Sequence, residues 1–173
     1  TTFDIYQKLS GLPNGQYKIV MQGFYRCGGY EEAANLRKNG FEKLNASLYA
    51  NSASMPIMSI FEEASSKEMN GPSCVNTIHG LIPNQMTDAS VAFSNQLYTH
   101  ELVFEVTDGT ATIGVKKTAS VSNDWTIFDN FKLYRLTKEY TLNIPECGWE
   151  TLMLPFSHEI PENLTFNSCA EIQ

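Results

Sequence analysis

Apolar and polar residues alternate with period two along most of this chain, most clearly over 106–136, VTDGTATIGVKKTASVSNDWTIFDNFKLYRL. Two runs flank Asp108-Gly109, a dipeptide suited to the positive-φ positions of a tight hairpin turn. Ala111, Ile113 and Val115 share one face of the second run, and the strand after the polar loop carries Ile127, Phe131 and Leu133. Upstream, 3–7 alternates, 17–26 places Tyr17, Ile19, Met21 and Tyr25 on one face, and 44–50 alternates Leu44, Ala46, Leu48 and Ala50 with polar positions. A short run at 56–61 follows a Ser/Asn-rich turn, and Leu102, Phe104 and Val106 line a face of 100–106. Only Tyr30–Lys38, YEEAANLRK, reads as helix. Many short strands with one short helix predict an all-β fold, an antiparallel β-sandwich.

Successive antiparallel strands sort the connections by end. The turns at 12–15, 51–55 and 108–109 gather at one end, and the long connections 27–42, 62–99 and 117–124 at the other. Long loops on a rigid sandwich are where binding surfaces usually sit. Phe41, Met69, Ile78, Leu81, Ile82, Met86 and Phe93 are expected to be buried beneath them.

Composition narrows the classes. The 173 residues suit one domain with an appended piece, and 42% hydrophobic content supplies a core. A net charge of −7 argues against a nucleic-acid backbone as partner, and no apolar run is long enough to span a bilayer. The chain opens on TTFDIYQ with neither a charged start nor an apolar signal core, so an export signal is not part of this sequence. Cys27, Cys74, Cys147 and Cys169 lack metal-ligand spacing, and His79, His100 and His158 are scattered, which argues against a structural zinc. Cys27 and Cys74 both fall in loops and are read either as a disulfide or as two separate thiols.

Candidate chemistry sits in the long loops. A sugar offers an apolar ring face to an aromatic and hydroxyls to paired donors and acceptors. Arg26, Tyr30, Asn84, Gln85, Asn123, Asp124 and Trp125 can supply those parts, although Trp125 equally suits a core plug and the Asn residues suit turns. No nucleophile-elbow, zincin or phosphate-loop motif occurs, and Glu31-Glu32 and Glu62-Glu63 read as solvated pairs. Cys74 and His79 are the one thiol and base in the same loop, and their spacing carries little weight. The chain is therefore expected not to be an enzyme.

The segments 108–117 (DGTATIGVKK) and 124–133 (DWTIFDNFKL) resemble the closing strands of galactose-binding-like β-sandwich domains, found in secreted and surface proteins of anaerobic gut bacteria. So do 3–17, 23–26, 48–51, 82–86 and 89–93, in consistent order over 1–137. The resemblance implies a jelly roll, commonly a non-catalytic carbohydrate-binding module joined to glycan-degrading or glycan-capturing domains. It also implies that Asp129 joins a structural calcium site, and that the family's usual first strand lies outside this sequence, leaving an open strand edge. A carboxylate bonded to loop amides is the other reading of Asp129.

Residues 138–173 resemble the opening hairpin of a further small β module, too short to hold a core alone, with Cys147 and Cys169 read either as a staple across it or as two separate thiols. The expectation is an extracellular or surface, non-catalytic module that binds a poly- or oligosaccharide beside neighbouring domains of the same protein. A structural spacer or protein–protein interaction domain is the alternative, and a hydrolase with two facing carboxylates comes third.

Overall fold

The structure, a computed structural model, describes residues 1–136. The segment expected over 138–173, with Cys147 and Cys169, lies outside the described residues. Nine strands and two helices follow in order: β1 Phe3–Ser10, β2 Gly15–Arg26, α1 Tyr30–Lys38, β3 Ala46–Ala50, β4 Ala53–Pro56, β5 Val75–Thr77, β6 Gly80–Ile82, α2 Met86–Ser94, β7 Thr99–Val106, β8 Thr110–Lys117 and β9 Trp125–Arg135. Strands β1-β8-β3-β4 form one antiparallel sheet and β7-β2-β9 a second.

Strict alternation drives the packing. In β7 every second residue is buried, so Leu102, Phe104 and Val106 face inward with Ile19 and Met21 of β2. They meet Leu48 and Ala50 of β3 and Ala111 and Val115 of β8, which closes an all-β antiparallel sandwich. Each buried aliphatic side chain contributes roughly 1.5–3 kcal/mol relative to exposure.

Register fixes the two ends. Gly15 opposes Val106 and Tyr17 opposes Arg135 at one end, while Arg26 opposes Trp125 at the other. Phe3 and Ala46 both oppose Lys117 in the four-stranded sheet. The 27–45, 57–98 and 118–124 connections thus emerge together, and the short turns gather opposite, as the strand pattern predicts. At the short-turn end the Leu12 N–H donates to the Gly109 carbonyl (3.0 Å), and the Gly109 N–H to Asn14 Oδ1 (3.0 Å).

Several expectations change. There is a second helix, α2, inside the long connection. Its residues Ala89, Ala92 and Phe93 recur at helical spacing, and Asp88 at its third position accepts the N–H of the N-cap residue Gln85. Together with Phe24, Ile60, Phe61 and Tyr98 they form a second core under the loop end. Met69, Ile82 and Phe93 are buried there as expected, but Phe41 (70% exposed), Ile78 (61%) and Met86 (63%) are not. That core is filled by α2 and its neighbours, so these three stay outside. Phe131 and Leu133, expected on a buried face, are also solvent-exposed, because the far half of β9 borders an open groove beside β1. Cys27 and Cys74 are separate thiols, Cys27 in the inter-sheet core and Cys74 against the second, which answers the disulfide question for this pair.

His100 on β7 is wholly buried. The Met58 N–H donates to its Nε2 (2.9 Å), so the proton sits on Nδ1, which donates to the Tyr98 carbonyl (3.0 Å). Burial holds its pKa below the ordinary histidine value, opposed in part by the bond to Tyr98. The unfolded chain therefore takes up this proton first as pH falls, and folding stability drops below about pH 6.5. Chemical denaturation at stepped pH is expected to show that loss, at no more than ~1.4 kcal/mol per pH unit from one group. The slope should be smaller in His100→Gln, whose amide oxygen can still accept the Met58 N–H.

Candidate functional site

The loop end is built around one buried carboxylate. Asp88, with no exposure to solvent, accepts the N–H groups of Ser73 (2.8 Å), Asn84 (3.0 Å) and Gln85 (2.9 Å). Ser73 precedes the β5–β6 hairpin and Asn84 follows it, so a single side chain closes the hairpin's base. A buried charge is tolerable only when its lone pairs are met in this way. Gly71 passes so close that an added Cβ would lie 2.7 Å from the Asp88 backbone and side chain, so its bare backbone is required.

The hairpin tip is then seated on α1. His79 donates from Nε2 to the Ala34 carbonyl (2.9 Å) and packs its ring on Phe61 (5.1 Å between centroids). The tip closes on itself through Thr77 Oγ1, which donates to the Gly80 carbonyl (2.8 Å). Gly80 has a positive φ of 112°, and a Cβ there would collide with the Ala64 carbonyl. On the helix side, Arg37 bridges Glu42 (3.2 Å) and Glu62 (3.1 Å), tying α1 to the chain after it. Both carboxylates hold the Arg37 guanidinium pKa up against the opposing effect of burial.

Between α1 and this hairpin lies a groove of about 390 Å³. Its helix wall carries Tyr30 and Ala34, then Glu31 and Asn35, each pair one turn apart on a common face. Asn76, Thr77 and Ile78 form the other wall. Tyr30 is 36% exposed and Ile78 61%, with Glu31, Asn35 and Asn76 open to solvent. The groove thus offers an aromatic and an aliphatic surface beside amide donors and acceptors and one carboxylate, which suits a ligand with an apolar face and several hydroxyls.

Of the residues singled out from sequence, Tyr30 is in this groove. Arg26, Asn123, Asp124 and Trp125 are brought together elsewhere on the loop end, at the start of β9. The Arg26 guanidinium sits over the Trp125 ring (5.4 Å), with Nε donating to the Gly28 carbonyl (2.9 Å) and Nη2 to that of Asn123 (3.4 Å). Trp125 meets Phe24 edge-on (5.2 Å). Asp124 receives Lys117 Nζ on both oxygens (2.8 and 2.6 Å) and the Tyr25 hydroxyl (3.2 Å), in a nearly buried pair. Burial pushes the Tyr25 phenol pKa far up, so its hydroxyl remains a donor, while Asn45 donates to it (3.2 Å). Arg26 and Asp124 therefore act as internal fasteners of the 118–124 connection. Asn123 is exposed in a left-handed turn (φ 59°). Asn84 is exposed ahead of α2 and lies in neither group.

Other chemistry is less favoured. Burial and the neighbouring Asp88 push the Cys74 thiol up, keeping it protonated, and His79 spends Nε2 on Ala34. Asp129 is exposed on β9 and accepts the Asn130 N–H (2.7 Å). Calcium takes six to eight oxygen ligands, and no group of three or more His, Cys, Asp or Glu side chains with metal-site geometry occurs among the described residues. Calcium at Asp129 enters no further step. No helix among the described residues is long and apolar enough to cross a membrane. No family model, curated protein or solved structure matches the chain.

Removing the Asp88 carboxylate leaves three backbone N–H groups without their acceptor. Asp88→Ala is expected to cost on the order of 3 kcal/mol in denaturant unfolding. Hydrogen exchange should become selectively faster across 73–85, and a variant that melts like the wild type would contradict this role.

Proposed function

We propose that this chain is a non-catalytic carbohydrate-binding module, and that the groove between α1 and the β5–β6 hairpin takes the glycan. The observation that carries the reading is Tyr30, exposed on a groove wall beside Glu31, Asn35 and Asn76. Tyr30 would stack on an apolar sugar face, and the amides would pair with hydroxyls. Glu31 disfavours acidic sugars, so the substrate class is a neutral poly- or oligosaccharide. The likeness of 1–137 to galactose-binding-like domains of secreted and surface bacterial proteins supports the same reading, with neighbouring domains in one extracellular protein and a jelly-roll topology.

A spacer or protein–protein module is the second reading. The observation in its favour is that Trp125, the largest aromatic near the loop end, is partly buried and packs against Arg26 and Phe24. Affinity electrophoresis and a glycan array separate the two. Retention by neutral glycans, weakened roughly tenfold by Tyr30→Ala with the melting temperature unchanged, is the expected result for a stacking aromatic. Wild-type protein that is retarded by no neutral or acidic polysaccharide would favour the spacer.

A further inference from the structure

Asparagine followed by glycine occurs three times in the chain, at 14–15, 39–40 and 70–71. Such a pair can react with itself, because glycine has no side chain to shield its backbone nitrogen. Two conditions decide whether a folded chain permits it. The glycine N–H must be free to lose its proton, and the asparagine side chain must be free to swing its Cγ onto that nitrogen.

The fold withholds one condition at two of the three sites. At the end of α1 the Gly40 N–H donates to the Arg37 carbonyl (3.0 Å), which commits that nitrogen to the helix terminus. At the short-turn end Asn14 Oδ1 accepts the Gly109 N–H (3.0 Å), and the Asn14 carbonyl accepts Arg135 Nη2 (3.3 Å). Gly15 then opens β2 opposite Val106, so Asn14 is anchored by side chain and backbone alike.

Asn70 meets both conditions. It is exposed, and the Gly71 N–H donates to no group among the described residues. Its amide oxygen accepts Asn95 Nδ2 at 3.3 Å, a donor shared with the Glu68 carbonyl (2.8 Å). That donor polarises the Asn70 side-chain carbonyl and steadies the oxyanion that forms when a nitrogen adds to it.

We infer that Asn70 is a site of self-modification to aspartate and isoaspartate, placed to loosen the Asp88 clamp. The Gly71 nitrogen loses its proton to solvent base and adds to Asn70 Cγ. The new N–C bond closes a succinimide as the Cγ–Nδ2 bond breaks and ammonia leaves. Water then opens the ring. Attack at Cγ gives aspartate, and attack at the main-chain carbonyl gives isoaspartate, whose backbone runs through Cβ and Cγ.

The neighbouring packing has no room for that longer backbone. An added Cβ on Gly71 would lie 2.7 Å from Asp88 Cα and Oδ1, and the Ser73 N–H donates to the same Oδ1. Lengthening the chain at 70 presses Gly71 onto Asp88 or draws Ser73 away from it. Both products also add a negative charge beside the contact with a buried carboxylate. The β5–β6 hairpin is thereby released at its base, whatever its groove binds.

Peptide mapping by mass spectrometry tests it on the full chain, aged at mildly alkaline pH both folded and in denaturant. The denatured chain supplies the intrinsic rate of each Asn-Gly pair. Asn70 is expected to convert in the folded protein at its denatured rate. Asn14 and Asn39 should convert roughly tenfold or more slowly than theirs, the effect of a hydrogen bond that must first break. The converted protein, separable by its added charge, should exchange amide hydrogens faster across 73–85. Asn70→Gln aged alongside should keep the exchange of fresh protein there, since its longer side chain closes the ring far less readily. Protection of Asn70 by the fold as strong as that of the other two overturns the inference. So does converted protein whose exchange across 73–85 is unaltered.

Discussion

The loop end of this protein depends on a carboxylate that is fully buried. Asp88 holds Ser73, Asn84 and Gln85 by their backbone N–H groups, and these residues bracket the β5–β6 hairpin. A three-residue strand pair has too few hydrogen bonds to persist alone. Clamped at its base by Asp88 and at its tip by His79 on Ala34, it becomes a fixed wall facing α1. Gly71 and Gly80 are the backbone consequences of that packing, each at a point where a side chain would strike a neighbour. The groove is thus a product of buried electrostatics more than of sheet geometry.

Strand β2 joins this end to the sandwich. Its lower half sends Tyr17, Ile19 and Met21 into the inter-sheet core, while Phe24 enters the core under the loops and packs on Tyr98 at 4.9 Å. Gln22 is buried where the two cores meet. Its Nε2 donates to the Phe93 (2.6 Å) and Leu97 (3.2 Å) carbonyls, and its Oε1 accepts from Asn130 (2.6 Å). The end of α2 and the distorted part of β9 are therefore referenced to one residue of the central strand. A polar network of this kind fixes position where apolar contact alone would allow sliding.

Much of the frame was legible from residue order. Period-two alternation marks the strands that sit between the sheets, and the Asp108-Gly109 turn identifies the short-turn end. Tyr30–Lys38 reads as a helix because good helix formers run through it. The second helix was harder, since its residues 86–94 are mostly small or β-branched and its start is marked only by the bond between Asp88 and Gln85. Phe131 and Leu133 misled for a tertiary reason: their spacing fits a buried face, but no strand of the other sheet covers that part of β9. Arg26 and Asp124 have the chemistry of ligand contacts, and only three-dimensional pairing with Asn123, Lys117 and Tyr25 reveals them as fasteners. Asn35 and Asn76 escaped notice because 41 positions separate them, and nothing in either local pattern points to the other.

The central claim is that the space between α1 and the β5–β6 hairpin is a glycan site. Backbone amide NMR during titration with neutral oligosaccharides tests it most directly, because the resonances report position as well as binding. The account predicts saturable shifts concentrated at Tyr30, Glu31, Asn35 and 76–78, with the short-turn residues 12–14 and 108–109 unmoved. Saturable shifts centred on any other surface, or none at all across the neutral sugars that make up common polysaccharides, would contradict it.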